Sequence, residues 1–109
     1  MRAPIGARGD PHRSLELSRR AIALSSQRID YNVGLGASLL CVGRTDGREE
    51  LMSEGRAVLQ RVPEFRDLMP TDPLDRRAAR RLLAEPKQAC GYSRDAWNDG
   101  ALPLARRGE

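Results

Sequence analysis

The residues able to do chemistry are few and scattered. His12 is the only histidine, and Cys41 and Cys90 the only cysteines, in a chain of 109 residues. Nucleophilic catalysis needs a base beside the nucleophile and a third group to orient that base. His12 has Ser14 nearby but stands next to a helix-start signal, and it reads as an exposed side chain of a first helical turn. A zinc site needs four ligands at compact spacing, and His12, Cys41 and Cys90 supply three that lie far apart. The carboxylate pairs Glu49/Glu50 and Asp72/Asp75 fall at helix starts, where negative charge complements the helix dipole. GARGDP (residues 6–11) lacks the Gly-Lys-Ser/Thr ending of a phosphate-binding loop. GLGASL (residues 34–39) lacks the third glycine and the preceding strand of a dinucleotide fingerprint. No catalytic residue, metal or cofactor is expected, and the chain reads as a binding protein rather than an enzyme.

The sharpest candidate for binding is RRAARR. At helical spacing Arg76/Arg80 and Arg77/Arg81 make two adjacent rows of guanidinium, a face suited to phosphates or an acidic partner. The alternative is a solvated face, with Asp72 and Glu85 each four residues from Arg76 and Arg81 and placed to pair with them. Arginine supplies 18 of the 19 basic side chains, with Lys87 the exception, but the net charge is only +4. It is spread as +3 over residues 1–30, zero over 31–62 and +1 over 63–109. No block is basic enough to require a nucleic acid.

Cys41 and Cys90 are expected to be reduced thiols, which fits a reducing compartment; a disulfide between them is the alternative. No apolar run approaches the roughly 18 residues of a membrane span. The opening MRAPIGARGDP has no apolar core of a signal peptide. The cytoplasm is therefore the expected location, away from the membrane.

The elements that must carry these residues read as helices. Leu, Ile, Val and Phe make only 22 of the 109 residues, enough for a thin, leucine-based core. Residues 1–9 read as a flexible lead-in. Asp10-Pro11 then combines an N-cap with proline at the first helical position, and Leu17, Ala21 and Leu24 give a stripe for a helix over about 11–25. Glu16 and Arg20 pair on its other side. A second helix is expected from Ile29 to Val42, apolar around more than one face and so sandwiched between others, with Gly43 as its stop. Asp46 and Glu49 resemble a capping box for a third helix, whose stripe is Leu51, Met52, Gly55, Val58, Leu59 and Val62, with Pro63 at its end. Phe65, Leu68 and Met69 of the connector are expected to pack inward. Asp72-Pro73 repeats the start signal for a fourth helix over about 73–85, ended by Pro86. Tyr92 and Trp97 are expected to fold back over a helix face, and residues 98–109 to form a disordered tail.

Glycine in a helix interior costs about 0.5–1 kcal/mol relative to alanine, so Gly34 and Gly36 within the second helix need a reason. The run Asn32-x-x-Leu35-Gly36-x-x-Leu39, with Gly43 four residues further, resembles the first helix of a tetratricopeptide repeat (TPR), W-x-x-L-G-x-x-Y. In that family the glycine lies where neighbouring helices press closest. SRRAIALSS (residues 18–26) looks like the end of a preceding repeat's second helix, with Ala21 in the small-residue place and Ser26 in the place of proline. The helix ending at Pro63 looks like the next second helix. Ser26 and Pro63 stand 37 residues apart, against the roughly 34 of the repeat. Asn32, Leu39 and Ser18 depart from the aromatic residues usual at their places, and the resemblance covers about residues 12–63. Residues 64–109 read as a degenerate repeat or a capping helix.

The resemblance implies an all-α fold: antiparallel helical hairpins of TPR-like type, about four helices over residues 10–97, with a short C-terminal capping segment. It further implies a non-catalytic interaction or assembly module. The peptide-holding face, carried over by register, is Asp30, Val33, Ala37, Leu40 and Cys41. It is mostly apolar, and Val33 and Ala37 stand where a carboxylate clamp would need polar residues. An apolar peptide or helix of a protein partner suits it, a second copy of the chain included. Equally, the chain's own C-terminal region could cover this face, with Tyr92 and Trp97 as its lid. Nucleic-acid binding through residues 73–85 is the alternative function.

Overall fold

The computed structural model describes residues 10–94 and Trp97. Among the described residues four α-helices follow one another with both ends in view: α1 (Pro11–Leu24), α2 (Ile29–Asp46), α3 (Glu49–Gln60) and α4 (Asp72–Ala84). Short 3-10 segments, Val62–Glu64 and Pro86–Gly91, follow α3 and α4. The described residues contain no strand, so they are all-helical as expected. The lead-in and tail expected at 1–9 and 98–109 lie outside them.

α2 is the centre of the molecule. It runs apolar on nearly every side, and from Asn32 to Gly43 only Gly34 is not buried. Such a helix needs neighbours all round, and α1, α3, α4 and the Pro86–Gly91 segment supply them. α2 and α3 are joined by only Gly47 and Arg48. Gly47 adopts the left-handed conformation (φ 66°). The Arg48 N–H donates to the Gly43 carbonyl at 2.8 Å and the Gly47 N–H to Arg44 at 3.4 Å, a Schellman closure that turns the chain straight back.

Gly43 is thus no stop. It lies inside α2, and a Cβ there would sit 2.5 Å from Met52 Cγ and 2.9 Å from the Met52 backbone nitrogen. A Cβ on Gly36 would meet Leu59 Cγ at 2.4 Å, and one on Gly55 the Gly36 carbonyl oxygen at 3.0 Å. Gly43 faces Met52 near the turn and Gly36 faces Leu59 far from it, so the two helices run antiparallel. Their backbones approach more closely than side chains at these positions would allow. Gly34 differs, because a Cβ there would touch only Ser18 Oγ at 3.7 Å.

α1 begins as its sequence requires: the Asp10 carboxylate accepts from the Arg13 N–H at 3.1 Å, with Pro11 in the first turn. Its attachment is not the expected leucine stripe. α1 buries no residue fully, and Leu17 and Leu24 are 47% and 87% exposed. Its half-buried apolar residues include Leu15, Ala21 and Ile22, and polar contacts add to them. Ser14 and Ser18 hydroxyls lie 3.1 and 3.4 Å from Ser38 of α2. Arg19 forms a two-pronged pair with Glu54 of α3, and His12 Nε2 lies 2.7 Å from Asp46. Asp46 is therefore the last residue of α2, bound to His12, and not a cap for α3, which starts without a side-chain cap. The expected Glu16–Arg20 pair is present at 3.1 Å.

α4 closes the core with Ala78, Ala79 and Leu82. Asp72, expected as its N-cap, is its first residue and faces the other way. Its buried carboxylate accepts from the N–H groups of Leu68 and Met69 at 2.6 and 2.8 Å, which fixes the connector. Only Phe65 of that connector packs inward; Leu68 and Met69 are exposed. The cysteines expected as reduced thiols are joined in a disulfide that ties the middle of α2 to the Pro86–Gly91 segment, with their Cα atoms 4.7 Å apart.

The glycine contacts separate two substitutions that helix propensity treats alike. Gly34→Ala should stabilise the fold by about 0.5–1 kcal/mol. Gly36→Ala should destabilise it by about 1–3 kcal/mol, because Leu59 is wholly buried and cannot move aside without strain. Urea melts of the two variants beside the parent chain measure both signs.

Candidate functional site

The residues carried over as a partner groove do not form an open one. Val33 and Leu40 are completely buried, and Ala37 and Cys41 nearly so. The chain's own C-terminal region covers this face. Ala89 belongs to the same buried cluster, and Tyr92 and Trp97 pack against it. Their rings meet edge to face with centroids 4.9 Å apart. What stays open is a cleft of about 340 Å3 between α1, α2 and the segment after α4. Ala37 and Cys41 belong to it; Asp30, Val33 and Leu40 do not.

The cleft is built on a stripe of small residues along α2: Gly34, Ala37, Ser38 and Cys41. Their spacing places them on one side of the helix, and their size is what leaves room above them. α1 contributes Ser14 and Ser18, both within reach of the Ser38 hydroxyl. The opposite wall is Cys90, Tyr92, Ser93 and Arg94. The arrangement offers hydroxyl groups around a small, partly apolar floor, a surface that can hold a side chain and hydrogen-bond the backbone beside it. The serines were the readable part of this site that sequence reasoning passed over. Ser14 and Ser18 lie four residues apart on α1, and Ser38 lies within the small-residue stripe.

Asp30 serves the fold, at the start of α2. Arg28 grips its nearly buried carboxylate at 2.6 and 3.0 Å, and the Tyr31 N–H donates to it at 2.9 Å. The Arg28 guanidinium also lies over the Tyr31 ring, 4.2 Å from its centre. Burial disfavours the charged Asp30 carboxylate, but the Arg28 hydrogen bonds and charge outweigh it and hold its pKa below the ordinary carboxylate value. Asn32 uses its amide to tie down the loop before α2. It donates to the carbonyls of Ser26 at 3.1 Å and Arg28 at 2.7 Å.

The arginine rows of α4 are divided by their surroundings. Arg76 turns back to the connector, pairs with Asp67 and donates to the carbonyls of Val62 and Phe65. Arg81 donates to Gln88 at 2.7 Å and lies 3.8 Å above the centre of the Trp97 ring. The intrahelical pairs expected with Asp72 and Glu85 are replaced by these contacts. Arg77, Arg80 and Arg81 are all exposed, but Arg81 is engaged by Gln88 and Trp97, so the rows lose Arg76 to the connector and Arg81 in part to the C-terminal segment. A further arginine, Arg94, draws the C-terminal segment onto α4. It donates to Thr71 at 2.7 Å and pairs with the fully buried Asp75 at 3.3 Å. Burial opposes its charge, and the Asp75 carboxylate more than restores it, raising its pKa.

Among the described residues no helix is long and apolar enough to cross a membrane. Compared with family models, curated protein sequences and solved structures, the chain matches none.

The Arg28–Asp30 pair makes stability depend on pH at the acid end. A carboxylate whose folded pKa is depressed contributes stability above its unfolded pKa of about 4 and loses it as pH falls through the folded value. Asp30→Asn should therefore flatten the fall in melting temperature on acidification below about pH 4. Thermal melts of parent and variant across that range check it.

Proposed function

We propose that this protein is a non-catalytic, TPR-like interaction module that takes a short peptide segment of a protein partner in the cleft between α1, α2 and the segment after α4. The observation that carries the reading is the stripe Gly34–Ala37–Ser38–Cys41, a floor kept low by small residues between walls of hydroxyl groups. An apolar side chain of the partner rests over Gly34 and against the exposed Cys90 side of the disulfide. The partner's backbone is held by Ser14, Ser18 and Ser93. The proposal keeps the expected class of partner but moves the site from the inner face of α2 to its side, because that inner face is occupied by α4 and Ala89.

The TPR-like reading is supported by the α2–α3 hairpin. Gly36 has the close helix contact that the family's glycine would require, and Gly55 of α3 answers it across the pair. The nucleic-acid alternative is weakened by the engagement of Arg76 and Arg81 in the fold. We place the module in the cytoplasm, which then requires a disulfide that forms and opens there.

The test fills the cleft without disturbing the core. Gly34→Leu sets its Cβ at ordinary contact from Ser18 and projects the side chain over the floor. Partners captured from native lysate by the parent chain are identified, and their binding peptides are titrated against both proteins. Gly34→Leu should weaken binding by roughly tenfold or more, about 1.4 kcal/mol, with no loss of thermal stability and little dependence on salt. Undiminished binding to the variant removes the cleft from the proposal. Steep loss of binding with salt, together with sensitivity to Arg77→Glu/Arg80→Glu, would instead indicate nucleic acid.

A further inference from the structure

The disulfide joins two very different supports. Cys41 is only 6% exposed and sits in the middle of the most buried helix. Cys90 is exposed, on the short Pro86–Gly91 segment. Both line the same open cleft, so a small thiol can reach the bond from solvent, and from the Cys90 side. Buried disulfides resist exchange with thiols, whereas exposed ones are the labile and regulatory class.

Apart from the disulfide, the segment that Cys90 belongs to is held without covalent bonds. Ala89 is buried but small, and Gln88 is held by Arg81 at the surface. Tyr92 packs against the buried cluster and meets the Trp97 ring edge to face, and Arg94 beyond it binds Thr71 and Asp75. The glycine-based contact of α2 with α3 involves none of these residues. Opening the bond removes the covalent tie between this wall of the cleft and α2, leaving only contacts that can exchange with solvent, and the helical framework stays in place.

We propose that Cys41–Cys90 is a thiol-operated latch, opened by a low-molecular-weight thiol that attacks Cys90 through the cleft. This inference concerns the bond itself and stands whatever the cleft holds. In the first step the thiolate attacks Cys90 Sγ and the Cys41–Cys90 bond breaks. The bonding pair leaves on Cys41, which takes up a proton, and Cys90 carries a mixed disulfide with the incoming thiol. A second thiolate attacks the outer sulfur of that mixed disulfide. It releases Cys90, which is protonated in turn, and the two small thiols depart as their own disulfide. The protein gains two electrons and two protons. The Thr45 hydroxyl, 3.9 Å from Cys90 Sγ, is placed to donate to the departing Cys90 thiolate. Release of the segment uncovers Ala37 and Cys41 and widens the cleft along α2.

Reduced glutathione serves as the probe on the intact, oxidised chain, without denaturant. The expected result has three parts: a glutathione adduct on Cys90 and none on Cys41 by peptide mass mapping; two titratable thiols at completion; and a red shift in emission from Trp97, the only tryptophan. Amide exchange over 86–92 should rise at least tenfold while α2 and α3 stay protected. Cys90→Ser should show the red-shifted emission without any thiol added. An adduct on Cys41, thiols that appear only in denaturant, or loss of helicity together with reduction would each overturn the latch and make the bond a plain structural staple. So would a Cys90→Ser variant whose emission matches that of the oxidised parent.

Discussion

The close approach of α2 and α3 is the constraint from which the rest of the molecule follows. Three glycines, at 36, 43 and 55, allow two helices linked by only two residues to lie nearly backbone to backbone. Dispersion forces fall off steeply with separation, so a short chain with few large apolar residues gains most from such contact. The arrangement lets Leu59 fill the space over Gly36 and Met52 the space over Gly43. With α3 fixed on one side, α2 has other faces to cover. α1, α4 and the Pro86–Gly91 segment divide them.

Arginine does in this protein much of what larger apolar side chains do elsewhere. Arg28, Arg76 and Arg94 each satisfy carboxylates or carbonyls at places where the chain changes direction: the start of α2, the connector before α4 and the segment after it. A guanidinium has five donors in a planar fork and a face that stacks on rings, which suits it to tie several acceptors at once. Arg28 on Tyr31 and Arg81 on Trp97 use that face. The excess of basic residues is thus partly internal, and net charge alone gives a poor measure of what the surface presents to a partner.

The helices and the need for glycine at 36 were legible because both rest on local rules, namely periodicity, the Asp10-Pro11 start and the cost of an unexplained glycine. Gly43 was misread because glycine both ends helices and lets them touch, and only the partner helix distinguishes the two. Asp46 and Asp72 had the right neighbours for capping, but His12 and the Leu68 and Met69 amides, distant or on the wrong side in sequence, claimed their carboxylates. Leu17 and Leu24 have helical spacing yet stay exposed, and where α1 faces Gly34 and Ser38 of α2 it does so with serines. The pairing of Cys41 with Cys90 could not be deduced, since separation along the chain does not state distance in space. Of the candidate site, Ala37 and Cys41 were found. Its walls come from α1 and from the far end of the chain, and no local pattern joins them.

The bond between Cys41 and Cys90 also changes the topology of the polypeptide. Residues 41–90 form a closed covalent ring that contains the end of α2, all of α3 and α4 and the connectors between them, with α1 and the rest of α2 as one tail and the C-terminal residues as the other. A single backbone cut anywhere inside that ring, in the exposed stretch around Leu68 and Met69 for example, opens a circle rather than dividing the molecule. The two pieces stay linked through sulfur, and the helices keep one another at high effective concentration.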